Sequence, residues 1–139
     1  MYIESGGGKQ LGLLWGGSNS YHWRYLSSFV PTVSSWYFMA ATVQANGNTP
    51  IAHLWTGAGG VLVDEIAGVT YAKTGGSPTQ TPNVASGPLV LGTDTNTAIT
   101  LNASYAGLLV YNRALSVTEC QGLYRTFKTK MSERGITLQ

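Results

Sequence analysis

Residues 105–123 constrain the fold of this chain more than any other stretch. They read Tyr-Ala-Gly-Leu-Leu-Val-Tyr-Asn-Arg-Ala-Leu-Ser-Val-Thr-Glu-Cys-Gln-Gly-Leu. Residues 105–111 are an apolar run of strand formers with hydrophobic side chains on both faces, the pattern of a strand buried between two layers. Asn112 and Arg113 interrupt it. Ser116 and Glu119 then stand at the spacing of a capping box, in which each side chain satisfies a free backbone N–H at a helix start. Leu115 and Cys120 occupy the two staple positions around that cap. Val117, Cys120, Tyr124, Phe127 and Met131 recur at steps of three and four, one face of a helix beginning near Val117. Gly135 is the expected stop, and Lys128, Lys130 and Arg134 lie at the end where cations suit the helix dipole. The pattern predicts a closing strand followed by a helix that packs back on a sheet.

The remainder of the chain is consistent with an all-β body. Only 10% of its residues are charged, against about 25% in an ordinary soluble domain. Eighteen glycines, with abundant Thr, Ser and Tyr, suit many short strands joined by turns. So little charge fits either a surface covered by neighbouring subunits or a neutral polar surface of Ser, Thr and Asn. The charge is also uneven: residues 1–112 carry three basic and four acidic side chains, residues 113–139 five basic and two acidic. A basic terminal helix of this kind is a solvated face; the interleaving of aromatic and basic residues that marks nucleic-acid surfaces is absent. The lone Cys120 excludes an internal disulfide and reads as a small core residue.

Strands are expected within residues 1–10, 11–15, 21–26, 36–44, 51–55, 61–63, 66–71, 89–91, 98–101 and 105–111. The run at 36–44 is apolar on both faces and reads as central. Residues 51–55 and 61–63 flank Gly57-Ala58-Gly59-Gly60 as a hairpin. Residues 73–88, with Gly75, Gly76, Pro78, Pro82, Gly87 and Pro88, read as a long loop. With no internal repeat and no dividing linker, residues 1–139 form a single domain on length.

The run Tyr111-Asn112-Arg113-Ala114-Leu115-Ser116, followed by Glu119, resembles the last strand and trailing helix of laminin-G-like, concanavalin A-like domains. Residues 36–43, opening on Trp36, and residues 88–92, ending on Gly92, resemble two further strands of that family, so the likeness spans roughly residues 36–135. It implies a two-sheet antiparallel jelly-roll sandwich with one C-terminal helix, of the kind used to bind glycans or proteins. Two departures stand out: Gly107 occupies a place where the family often has an acidic residue, and the chain starts where the family would be partway through its first sheet, so first strands are expected to be missing.

Catalysis by a concanavalin A-like glycoside hydrolase would need paired carboxyls about 5–9.5 Å apart. The acids are Glu4, Asp64, Glu65, Asp94, Glu119 and Glu133. Asp64 and Glu65 are adjacent and would point to opposite faces of a strand, and Glu119 is taken by the cap. No catalytic residue is therefore assigned. His22 and His53 lack zinc spacing, so no metal site is assigned. The family resemblance implies calcium as a cofactor to consider, with Asp94, Asn96 and Asn102 as its candidates; with one carboxylate among them, they read more readily as turn residues. Trp15, Tyr21, Trp23, Tyr25 and Trp55 are the candidates for a glycan-stacking platform, with Asn19, Asn46 or Asn48 as polar partners; the competing role for such aromatics is core packing.

The sequence reading is a non-catalytic binding or assembly module. No stretch has the form of a signal peptide or reaches the length of a membrane span. If Met1 is the natural start, an extracellular type of domain without an export signal fits a virion surface: a decoration, fibre or tail component contacting neighbouring subunits or host glycans. A carbohydrate-binding module of a secreted protein is the alternative setting, and a glycoside hydrolase the third.

Overall fold

A computed structural model describes residues 29–32, 34–44, 51–67 and 104–139 in full. It also describes the backbone of strands at residues 2–4, 10–16, 22–26 and 72–74. The strands are β1 (Tyr2–Glu4), β2 (Gln10–Gly16), β3 (His22–Leu26), β4 (Met39–Gln44), β5 (Ile51–Ala58), β6 (Val61–Asp64) and β7 (Ala72–Thr74). One helix, α1, spans Val117–Ser132. The order β1-β2-β3-β7 makes one antiparallel sheet and β4-β5-β6 another.

The second sheet is held together from its centre. Ala58 pairs with Val61 across Gly59 and Gly60, whose φ angles of 59° and 94° are the positive values that a two-residue type I′ hairpin requires. That turn fixes the register, placing Trp55 opposite Asp64 and Gly57 opposite Leu62. On the other side of β5, Thr42 pairs with His53 and Gln44 with Ile51. Four consecutive β5 residues, Leu54 to Gly57, are buried, as befits a strand covered on both faces. In β6 the outward Val61 and Val63 are exposed while Leu62 and Asp64 turn inward.

The helix α1 covers one face of this sheet. Ser116 and Glu119 form the capping box, with the Glu119 N–H donating to Ser116 Oγ at 3.3 Å and the Ser116 N–H to Glu119 Oε2 at 2.8 Å. At the other end Gly135, at φ 72°, ends the helix; Ile136 N–H bonds Met131 C=O and Gly135 N–H bonds Ser132 C=O, the Schellman pattern. Between these stops Cys120, Tyr124 and Met131 are buried. Tyr124, Met131 and Leu138 form a core on which Trp36, Phe38, Leu62, Phe127 and Ile136 pack. The Phe38 ring lies 5.4 Å from that of Tyr124 and 5.8 Å from that of Phe127, so the aromatic contacts tie the start of β4 to the helix. Fully burying each such side chain stabilises the fold by about 1.5–3 kcal/mol. Gln121 fastens the helix to the hairpin, accepting from Leu62 N–H at 3.0 Å and donating to Gly60 C=O at 3.2 Å. The tail after Gly135 returns to bridge Trp36 through Leu138.

Several expectations are corrected. The described residues do not form a two-sheet jelly-roll sandwich: among them, it is α1 that packs on β4-β5-β6. Residues 105–111 are not a closing strand; they lie outside both sheets and are exposed. The physical reason is that Tyr124 and Phe127 already occupy the apolar face a closing strand would need. Gly107 sits close against Phe127, where a Cβ would stand 2.9 Å from Cε1. Among the described strands β4 stands at the edge of its sheet rather than at the centre, because β5 has a partner on each side and β4 has one. Val117 does not join the buried helix face but is 55% exposed in the first turn. β7 falls at the start of the stretch read as a long loop, and residues 65–67 form a turn where a strand was expected. The strands expected at 89–91 and 98–101 lie outside the described residues.

Candidate functional site

Strand alternation puts Ile51, His53, Trp55 and Gly57 of β5 on one face of the second sheet, alongside Thr42, Gln44, Asp64 and Leu62. α1 seals the Gly57–Leu62 end of this face through Tyr124. The opposite end stays open as a groove of about 540 Å³, lined by Ile51, His53, Trp55 and Asp64 on the sheet side. Residues 114–117 and Glu119 form the facing wall.

At its base His53 stacks on Trp55, ring centroids 5.0 Å apart and 6° from parallel. His53 Nδ1 meets Asp64 Oδ2 at 2.7 Å. With Nδ1–H donating to that carboxylate, Nε2 is the ring nitrogen left for a ligand, an acceptor in the neutral ring and a donor in the imidazolium. Asp64 Oδ1 takes the backbone N–H of Ile66 at 3.2 Å and of Leu54 at 3.4 Å, so the same carboxylate shapes the turn after β6 and orients the imidazole. Its neighbour Glu65 turns to the opposite side of the sheet and accepts from the buried Thr56 hydroxyl.

On the facing wall, the Arg113 guanidinium grips Glu119 with two bonds, 2.6 Å to Oε1 and 3.0 Å to Oε2. That pairing, together with the Ser116 N–H and hydroxyl, lowers the Glu119 carboxyl to about 2 and raises Arg113 above its ordinary value. A carboxyl held that low stays ionised and has no proton to give as a general acid. The Ser116 hydroxyl donates to Glu119 at 2.9 Å and is committed to the cap. What the groove offers is one oriented imidazole, a carboxylate wall and an apolar rim. Those groups suit hydrogen bonding and packing of a docked segment.

That rim continues outward. Tyr105, Leu108, Leu109, Val110 and Tyr111 are 45–68% exposed, and the row runs through residues 112 and 113 into the groove wall at 114–117. No described residue hydrogen-bonds to the backbone of residues 105–111.

Of the aromatics singled out for glycan stacking, Trp55 is 4% exposed and lies beneath His53. Trp15 and Trp23 are register partners across β2 and β3, with Tyr25 two residues along β3, so the pleat assigns all three to one face of the first sheet. Tyr21 lies outside the described residues, as do Asp94, Asn96 and Asn102. Among the described residues no group of three or more His, Cys, Asp or Glu side chains converges as metal ligands. The sequence reading missed the pairing of His53 with Asp64. Its signal was the Gly59-Gly60 turn, whose register sets Asp64 opposite Trp55, one diagonal step from His53. Among the described residues no helix is long and apolar enough to cross a membrane. Comparison with protein-family models, with curated proteins and with solved structures returned no match.

Proposed function

We propose that this chain is a non-catalytic assembly module that docks on neighbouring subunits through residues 105–111 and the groove wall beside them. The supporting observation is the row Tyr105, Leu108, Leu109, Val110 and Tyr111, exposed together although its sequence is that of a buried strand. Contiguous apolar surface whose backbone pairs with no described residue is a pairing template that isolated soluble proteins avoid. A chain with only 10% charged residues fits a particle in which neighbours cover such surface, and a decoration, fibre or tail component of a phage or virus is the setting we favour. Hydrogen exchange at sub-micromolar chain concentration tests the reading. Amides of residues 105–111 should exchange freely while those of α1 are protected. Equal protection of both would mean that the segment is closed within its own fold, and the docking role would fall.

Glycan binding is the second reading, supported by the shared face of Trp15, Trp23 and Tyr25. Affinity electrophoresis against soluble polysaccharides, with Trp23→Ala as the comparison, tests it. Release of reducing ends in the same mixtures would overturn the non-catalytic assignment for both readings.

A further inference from the structure

We infer that the partner which covers residues 105–111 is a second copy of this chain, paired antiparallel with the same segment about a two-fold axis. This rests on the docking role proposed above and adds the identity of the occupant. The segment meets the demands of self-pairing. An isologous contact places each residue against its own kind of surface, so any charge near the axis would face a like charge. Residues 104–112 contain no Lys, Arg, Asp, Glu or Pro, so neither like-charge repulsion nor a missing backbone donor opposes the pairing. The nearest charge, Arg113, is already neutralised by two bonds from its guanidinium to Glu119.

The area agrees. Five large apolar residues at 45–68% exposure leave on the order of 500 Å² open on each copy. Complete coverage of that surface on both copies would bury about 1,000 Å², the lower bound for a specific interface. Gly107 presses on Phe127 from one side, which fixes the segment to its own helix and leaves its outer side for the partner. Pairing Tyr105 with Tyr111 of the partner subunit places Leu108 on the axis. Directly opposed Cα atoms there would be about 4.5–5.5 Å apart, within the range that a disulfide spans.

Sedimentation equilibrium of the full chain from 1 to 100 µM tests this, with Val110→Lys and Leu108→Lys as variants. Both positions are at least half exposed, so the changes leave the core intact, which unchanged circular dichroism would verify. The expected result is a dimer for the wild type and a monomer for each lysine variant. A Leu108→Cys variant should oxidise to a covalent dimer, whereas the wild type, whose only Cys120 is 1% exposed, should not. A wild-type monomer with free exchange at 105–111 would overturn self-pairing and leave the docking role to a different protein. A dimer that survives both lysine substitutions would place the interface elsewhere and overturn the inference equally.

Discussion

The Tyr124 ring lies directly against the Cα of Gly57: a methyl group there would stand 2.7 Å from Cζ and 2.9 Å from Cδ2. Tyr124 is fully buried among Phe38, Leu62 and Met131, so its ring has little room to retreat. Gly57→Ala should therefore destabilise the fold by about 1–3 kcal/mol through overpacking. Urea denaturation measures it, and a loss under about 0.5 kcal/mol, the range of an ordinary surface change, would show that the ring slides aside.

The Tyr124 hydroxyl is buried without a hydrogen-bond partner among the described residues. A hydroxyl so placed costs about 1–3 kcal/mol relative to solvent. Tyr124→Phe keeps the ring packing and removes that penalty, so it should raise the denaturation midpoint. A lowered midpoint would mean that the hydroxyl has an acceptor in solution.

Asp64 serves three donors at once: His53 Nδ1 and the N–H groups of Leu54 and Ile66. Asp64→Ala strands all three and should destabilise by about 1–3 kcal/mol. Asp64→Asn keeps an acceptor oxygen for the turn and should lose less. Equal losses for the two variants would show that the charge, and not the acceptor geometry, matters here.

Glu119 gives the helix start a pH dependence of definite sign. Its folded-state carboxyl is lowered to about 2 by the Arg113 guanidinium and then by the Ser116 N–H and hydroxyl. A depressed carboxylate contributes stability that is complete above its ordinary value of 4.5 and disappears as the pH falls towards 2. Because the pair with Arg113 is exposed, salt weakens that share of the effect. An NMR titration should place the Glu119 midpoint near 2, and Arg113→Ala should move it up. A wild-type midpoint at 4.5 would remove the pair from the account of this cap. Ser116→Ala, which deletes the hydroxyl, should cost about 0.5–2 kcal/mol at neutral pH.

The local devices were legible in the chain because their causes are local. Ser116 and Glu119 are three residues apart, the Gly135 stop needs only one left-handed residue, and the Gly59-Gly60 turn sets its own hairpin register. Hydrophobic alternation in β3 and the apolar runs of β4 and β5 likewise announced strands. Tertiary structure decided what those elements cover. Residues 105–111 carry the composition of a buried strand, yet burial needs a free sheet edge and an unoccupied apolar face. Tyr124 over Gly57 takes that face for the helix, and Phe127 packs against Gly107 of the segment itself. Tertiary pairing also left β4 at the edge of its sheet among the described strands and Val117 in the open groove, while the hairpin register brought His53 to Asp64. Periodicity reports which side chains are apolar along an element. Which neighbour buries them is settled by contacts between residues far apart in the chain, and residues 105–111 stay exposed even where Gly107 meets Phe127.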